Sequence, residues 1–187
     1  MHSPRLASRY SKSLLDLAIE KGQLEQVYAD MLYLQDLNRQ SREFLNMLRS
    51  PIVPTDKKLA AIDAITKGKV SEMTATFNRL LVAKGREGEL PEIINAFVKQ
   101  YKEYKNIHVV KLTTATPVSD SIKTAIVDRV KQTSNMENIE LETVVNPDII
   151  GGFVLQTGDR LVDASIAYEL KEISREFENN DFIYKVR

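Results

Sequence analysis

The chain has 187 residues, enough for one domain or for two small ones. Hydrophobic residues make up 43% and charged residues 28%, an ordinary balance for a folded protein in water. Lysine and arginine number 26, as do aspartate and glutamate, so the chain lacks the basic surplus by which nucleic-acid binders neutralise phosphates. The absence of cysteine excludes disulfides, thiolate nucleophiles, iron–sulfur clusters and most structural zinc sites.

No apolar run approaches the roughly 20 residues needed to cross a bilayer. The first residues lead directly into an amphipathic pattern rather than into the apolar core of a signal peptide. The pattern also leaves no space for a transit peptide ahead of it. These observations predict a protein of the bacterial cytoplasm.

In the first half of the chain, apolar residues recur almost throughout at helical spacing. Capping residues, glycines and prolines divide this stretch into about six segments with short connections, as helix bundles prefer. The apolar faces of the six segments include Leu14, Val27, Leu48, Ile62, Phe77 and Ile94. The sequence therefore predicts a six-helix bundle over residues 1–105, which we expect to fold alone.

In the second half the pattern changes to short alternating runs. Residues 108–116 are rich in Val and Thr, and residues 139–143 alternate strictly, so both stretches are predicted to be strands. Two further apolar runs flank Gly158 and Asp159, which predicts a two-residue hairpin. The last predicted helix carries one narrow stripe of Ile166, Leu170, Ile173 and Phe177. The prediction is a mostly α fold, with a small α+β domain over residues 106–187.

No arrangement typical of catalysis or metal binding is evident. The two histidines, His2 and His108, have no partner at metal-ligand spacing. Asp159 and Asp163 admit an acid–base or magnesium interpretation. The simpler interpretation is that Asp159 completes the hairpin turn, whereas Asp163 or Ser165 caps the following helix. We therefore expect no catalytic residue, no metal and no cofactor.

Two other features also admit a ligand-binding interpretation. Gly151 and Gly152 precede a strand rather than a helix, so a tight turn or bulge is favoured over a phosphate-binding loop. Basic residues alternate with Tyr101 and Tyr104 near the end of the sixth helix, as in some nucleic-acid binders. At helical spacing, however, both tyrosines join the buried stripe and the lysines face solvent, which is the favoured interpretation.

The first and fifth helices carry more apolar residues than one buried face requires. Leu15 and Ile19 extend the apolar surface of the first helix, and Ala75 and Val82 extend that of the fifth. One interpretation is that both helices are central and buried on all sides. The other is that they form an apolar groove for a partner helix. The residues alone leave both interpretations open.

Three blocks of the chain form a collinear pattern. Residues 7–18 read ASRYSKSLLDLA, residues 77–97 combine apolar positions with Gly-Arg and Leu-Pro pairs, and residues 145–165 read VNPDIIGGFVLQTGDRLVDAS. Together they resemble the delta subunit of the bacterial F-type ATP synthase, a relative of the mitochondrial oligomycin-sensitivity-conferring protein. Arg9 stands where that family usually has Pro, and Asn146 replaces a common Asp.

The resemblance implies a non-catalytic stator subunit that links the catalytic head to the peripheral stalk, so that proton-driven rotation is coupled to ATP synthesis. It implies that the helical domain binds an alpha-subunit N-terminal helix between its first and fifth helices. The candidate contacts are Tyr10, Leu14, Leu15, Leu80 and Val82. The second domain would bind the C-terminal helices of the b subunits.

The resemblance also assigns structural roles to the terminal motif. The residues of that family signature are Gly151, Gly152, Gly158, Asp159 and Asp163. Membrane association is expected only through the complex, on the cytoplasmic side of the plasma membrane, and no nucleic acid is expected as a partner.

Two other functional classes are the alternatives to this interpretation. The first is a small RNA-binding or ribosome-associated α+β protein, against which the neutral charge and the lack of a G-x-x-G loop both argue. The second is a small hydrolase, against which the missing nucleophile–base set argues.

Overall fold

A computed structural model describes residues 4–133, 138–158 and 160–178 of the chain. Within those residues the protein forms eight α-helices and four β-strands. The chain divides into two compact units, Met1–Lys105 and Asn106–Arg187. None of the helices in the described ranges is long and apolar enough to cross a membrane.

Six α-helices lie in the described residues of the first unit. They are α1 (Pro4–Glu20), α2 (Leu24–Gln40), α3 (Arg42–Arg49), α4 (Thr55–Thr66), α5 (Glu72–Ala83) and α6 (Leu90–Tyr104). Side-chain caps fix two of their starts, because Ser41 accepts from the Phe44 amide and Ser71 accepts from the Thr74 amide.

The core of the first unit is built around α6, which packs against α1 and α2, while α4 packs against α5. Ile93 and Phe97 of α6 have no exposed surface. The facing helices contribute Leu14, Ala18, Val27 and Met31, all fully or almost fully buried. This burial of apolar side chains is the main source of stability for amphipathic helices.

A buried carboxylate ties α2 to the start of α5. Asp30 Oδ2 accepts three hydrogen bonds, from the Ser71 amide at 2.8 Å, the Ser71 hydroxyl at 2.6 Å and the Thr74 hydroxyl at 2.7 Å. A negative charge is favourable at a helix N-terminus, where amides lack intrahelical partners. The contact therefore fixes the position at which α5 begins.

Tyr101 and Tyr104 occupy different environments. Tyr101 is buried and stacks on Tyr28 with ring centroids 3.6 Å apart, and its hydroxyl donates to Glu25. Burial, followed by this hydrogen bond, raises the pKa of Tyr101 to about 12. Tyr104 is exposed, so its predicted place in the buried stripe was wrong. A step of three residues rotates a side chain by about 300° around a helix, which carries Tyr104 past the edge of the stripe.

A four-stranded mixed sheet lies in the described part of the second unit. Its elements are β1 (Ile107–Thr114), α7 (Asp120–Thr133), β2 (Asn138–Val145), β3 (Gly152–Thr157), β4 (Arg160–Ser165) and α8 (Ile166–Glu178). The strand order is β2-β1-β3-β4, in which β1 and β2 are parallel and the other two pairings are antiparallel. The parallel pair is joined through α7, the crossover helix that such a pairing requires.

The register of the last two strands confirms the predicted hairpin. Thr157 pairs with Arg160, which leaves a two-residue turn between them. Gly158 has a φ of 54°, the left-handed conformation that such turns need. Asp159, the other turn residue, lies outside the described residues.

A buried ion pair offers a test of how the first unit is held together. Lys58 Nζ donates to the Leu48 carbonyl at 2.9 Å and to Glu87 Oε1 at 2.7 Å, and both charged side chains are nearly buried. We expect Lys58→Met to lower the free energy of unfolding by about 3 kcal/mol, because it leaves the Glu87 carboxylate without its cation.

Urea denaturation measures this change, and Lys57→Met is the matched control. Lys57 is the exposed neighbour on the same helix, so its replacement should change stability by less than about 0.5 kcal/mol. Equal effects of the two substitutions would show that the buried pair contributes no more than a surface charge.

Candidate partner-binding surfaces

The N-terminal half of α1 lines a concavity of about 530 Å³. Its walls are Arg5, Leu6, Arg9, Tyr10, Ser13 and Arg86. Arg86 lies just after the end of α5, so the concavity brings the first helix together with the segment that follows the fifth. Leu6 and Tyr10 are half-buried and form its apolar part, while the three arginines are exposed.

The five candidate contacts of the helical unit do not share one environment. Leu14, Leu15 and Val82 are 2%, 7% and 2% exposed and belong to the core of the free protein. Leu80 is 45% exposed, and Tyr10 is half-buried in the concavity. A partner that docks without moving the helices can therefore touch Tyr10 and Leu80. The other three residues would not contact it and would instead support the surface from the core. Their role in binding stays a prediction.

The five candidate contacts predicted from the sequence do not include one accessible apolar residue on α1. Leu17 is exposed, and helical spacing places it on the same stripe as Leu6, Tyr10 and Ser13. Helical spacing from Leu14 predicts Leu17 on the buried face as well, and this prediction is wrong. On α5, the spacing of Thr76, Leu80 and Ala83 likewise places three exposed residues on one stripe.

In the second unit the apolar stripe of α8 is open to solvent. Ile166, Leu170 and Ile173 are each about half exposed, and Phe177 is 77% exposed. The helix packs against β4. A row of four large apolar residues on one helix face is typical of a surface that another protein covers.

The segment before β3 is shaped by a chain of local hydrogen bonds. Asn146 Oδ1 accepts from the Asp148 amide, and the Ile150 amide donates to the Pro147 carbonyl. Ile150 then adopts a φ of 67°, and the carbonyl of Gly151 accepts from the Ile166 amide at the start of α8. This segment therefore ties the beginning of β3 to the beginning of α8.

Each glycine of the pair meets a different neighbour. A Cβ on Gly151 would lie 2.7 Å from the Ile166 side chain, and a Cβ on Gly152 would overlap the Ala164 carbonyl of β4. Gly152 also has a φ of 73°, which L side chains rarely adopt. The pair acts through close backbone packing at a turn.

The acidic residue of the motif has a capping role. Asp163 Oδ1 accepts from the Ser165 amide, and the buried Ser165 hydroxyl accepts from the Tyr168 amide, which caps α8. Among the described residues, no group of three or more metal-ligating side chains is assembled. Asp163 therefore acts in the local hydrogen bonding that begins α8.

Comparison with known proteins identifies the family. The family model described as ATP synthase delta (OSCP) subunit matches residues 6–177. The chain belongs to this family. The match spans both units and the whole glycine–aspartate motif.

Individual relatives agree over nearly the full length. The ATP synthase subunit delta of Cytophaga hutchinsonii is 35% identical over 177 residues, covering 95% of this chain and 96% of the relative. That of Christiangramia forsetii is 32% identical and covers all of both chains. A chain of the Toxoplasma gondii mitochondrial ATP synthase superposes with a TM-score of 0.71 at 25% identity, covering 92% of this chain and 97% of that one.

Gly152 and Gly158 of the family motif both have a positive φ, but only a Cβ on Gly152 would overlap neighbouring atoms. Replacing each by alanine therefore gives a matched pair of variants. We expect Gly152→Ala to lower the free energy of unfolding by about 3 kcal/mol or more, because its methyl group overlaps backbone of β4 and its φ is unfavourable. Gly158→Ala has the same sign of φ but no atom within 4 Å of its Cβ, so about 1 kcal/mol is expected.

Urea denaturation followed by circular dichroism gives both values. Amide hydrogen exchange of β1 shows whether the loss arises in the second unit. If the two variants lose similar amounts of unfolding free energy, the backbone around Gly152 can move to accommodate a methyl group and the expectation is wrong.

Proposed function

We propose that this protein is the stator subunit of an F-type ATP synthase, joining the catalytic head to the peripheral stalk. The observation that carries the proposal is family membership over residues 6–177, in a chain whose two units each present exposed apolar helix surface. None of the relatives named above is described as RNA-binding, which leaves that alternative without support.

The task is mechanical rather than catalytic. A rotor turns inside the head during ATP synthesis, so the head has to be held against rotation. A long-lived attachment of nanomolar affinity requires about −12 kcal/mol. Exposed ion pairs contribute about 1 kcal/mol or less each, so burial of apolar surface has to supply most of this energy.

The head contact is assigned to the helical unit. An amphipathic N-terminal helix of an alpha subunit would lie along α1 and α5, covering Tyr10, Leu17 and Leu80. Leu14, Leu15 and Val82 support this surface from the core. Their burial keeps α1 and α5 in place before the partner arrives, which lowers the cost of ordering on binding.

The stalk contact is assigned to the second unit. The C-terminal helices of the b subunits would cover the stripe on α8, since a helix with one apolar face is a suitable partner for another. Attachment to the membrane then occurs only through the stalk, on the cytoplasmic side of the bacterial plasma membrane. Neither contact requires a cofactor or nucleic acid.

The head contact is tested by calorimetric titration of the full chain with a synthetic alpha-subunit N-terminal peptide from the same cell. We expect one-to-one binding that Leu80→Asp weakens at least about tenfold, since a buried leucine contributes about 2 kcal/mol. Leu32→Asp is the control, because Leu32 is a similarly exposed leucine on α2. Absence of binding by the folded wild-type protein would refute the head contact.

The stalk contact is tested with a soluble fragment that contains the C-terminal part of the b subunit. Ile173→Asp places a charge in the middle of the α8 stripe and should reduce binding at least about tenfold, by loss of burial and by desolvation of the carboxylate. Ile122→Asp on α7 carries the same change at an equally exposed position and should bind normally. Analytical ultracentrifugation compares the two, and equal binding by both would place the stalk contact elsewhere.

A further inference from the structure

The concavity beside α1 contains an excess of positive charge that apolar docking does not explain. Arg5, Arg9 and Arg86 line it, and its other walls are Leu6, Tyr10 and Ser13. Three arginines therefore line one depression whose walls include no acidic residue. This local charge stands out in a chain whose formal net charge is zero.

These arginines have no ion-pair or hydrogen-bond partner for their side chains within residues 4–133, 138–158 and 160–178. Some arginines elsewhere in the described residues do have an internal carboxylate partner. Arg49 donates to Glu92, and Arg175 donates to Glu172. The three groups around the concavity remain available to an external anion.

The placement of Arg5 and Arg9 is unfavourable for the free protein. Both lie in the first two turns of α1, where the helix dipole is positive, and the first turn contains no acidic residue. They are also four residues apart, so their like charges repel on one helix face. An incoming carboxylate relieves both effects, whereas a neutral group relieves neither.

Arg86 is held by the way α5 ends. The Gly85 amide donates to the Val82 carbonyl at 3.0 Å, and the Arg86 amide donates to the Leu81 carbonyl at 2.8 Å. This pair of bonds is a Schellman motif, and Gly85 supplies the required left-handed φ of 63°. The motif fixes the backbone from which the Arg86 side chain reaches the concavity.

We propose that Arg5, Arg9 and Arg86 form a carboxylate-recognition site for acidic side chains at one end of the helical segment that docks on α1 and α5. This inference rests on the proposed head contact and specifies its chemistry. The guanidinium fork matches a carboxylate with two parallel hydrogen bonds. Tyr10 lies both in this concavity and on the apolar stripe of α1, which joins the two parts of the surface.

The geometry of α1 gives the spacing expected in the partner. Arg9 and Leu17 are eight residues apart, about 12 Å along a helix. A helix lying along α1 would thus carry its acidic residues about two turns from the apolar residues that cover Leu17. Charges at the rim of such an interface chiefly raise the association rate and select the partner, while apolar burial keeps the complex together.

The test measures association rates of the full chain with the synthetic alpha-subunit N-terminal peptide by stopped flow. We expect the triple variant Arg5→Gln/Arg9→Gln/Arg86→Gln to associate about tenfold more slowly at about 0.05 M salt, with a much smaller change in dissociation rate. The difference should largely disappear at about 0.5 M salt, because exposed charges are then screened. A second peptide, with its carboxylates replaced by amides, should bind the wild-type protein at the slow rate.

The control is Arg39→Gln/Arg42→Gln/Lys57→Gln, which removes the same charge from exposed positions outside the concavity. It should associate at nearly the wild-type rate. An equal slowing by both triple variants would show that only net charge matters and would overturn the proposal. Unchanged association of the arginine variant would overturn it as well.

Two further outcomes separate this proposal from the proposed function. If Leu80→Asp weakens binding but the arginine variant and the amide peptide behave like the wild type, the head contact stands and the carboxylate site is refuted. If the wild-type protein does not bind the peptide at all, both are refuted. If inorganic phosphate slows binding of the acidic and the amide peptide alike, beyond chloride at equal ionic strength, the arginines bind free anions and the proposal fails.

Discussion

The apolar face of α6 is buried against α1 and α2, and the first unit depends on this packing. Ile93 and Phe97 have no exposed surface, and α1 contributes Leu14 and Leu15 to the same core. Since one side of α1 is used in this way, only its neighbouring stripe is free for a partner. Substitutions of Leu14 or Leu15 therefore disturb the fold and cannot report on binding alone, whereas Leu80 reports on the surface.

In the second unit, more of the large apolar side chains are exposed and fewer are buried than in the first unit. Val110 and Leu112 of β1 are fully buried, but the α8 stripe is exposed, as are Leu161 and Val162 of β4. A domain of about 80 residues buries a smaller fraction of its surface than a larger one. A partner that covers α8 would add apolar burial to the folded state only, and so would stabilise the unit by mass action. Stalk binding and stability of this unit are thus expected to be linked.

Local patterns in the sequence predicted the helices of the first unit and the hairpin register, because periodicity and turn chemistry act over a few residues. They did not predict which of two apolar stripes on α1 would be covered. Leu14 and Leu17 are three positions apart, and only the packing of α6 decides that the first is buried and the second exposed. The arginine cluster was also out of reach, since Arg86 is distant in sequence from Arg5 and joins it only through tertiary packing. The one local signal was an uncompensated pair of arginines at the start of α1.

In the proposed stator, load between the two attachments would pass through the short connection between the two units. The helix α6 ends at Tyr104 and β1 begins at Ile107, so the intervening chain can extend by about 10 Å at most. The end of α6 is anchored just before this point, where Tyr101 stacks on Tyr28 and both Tyr101 and Lys105 donate to Glu25 of α2. Exposed charges alone would add little, but Tyr101 is buried, so its ring holds the helix end in the core of the unit. These contacts therefore connect the end of α6 directly to α2.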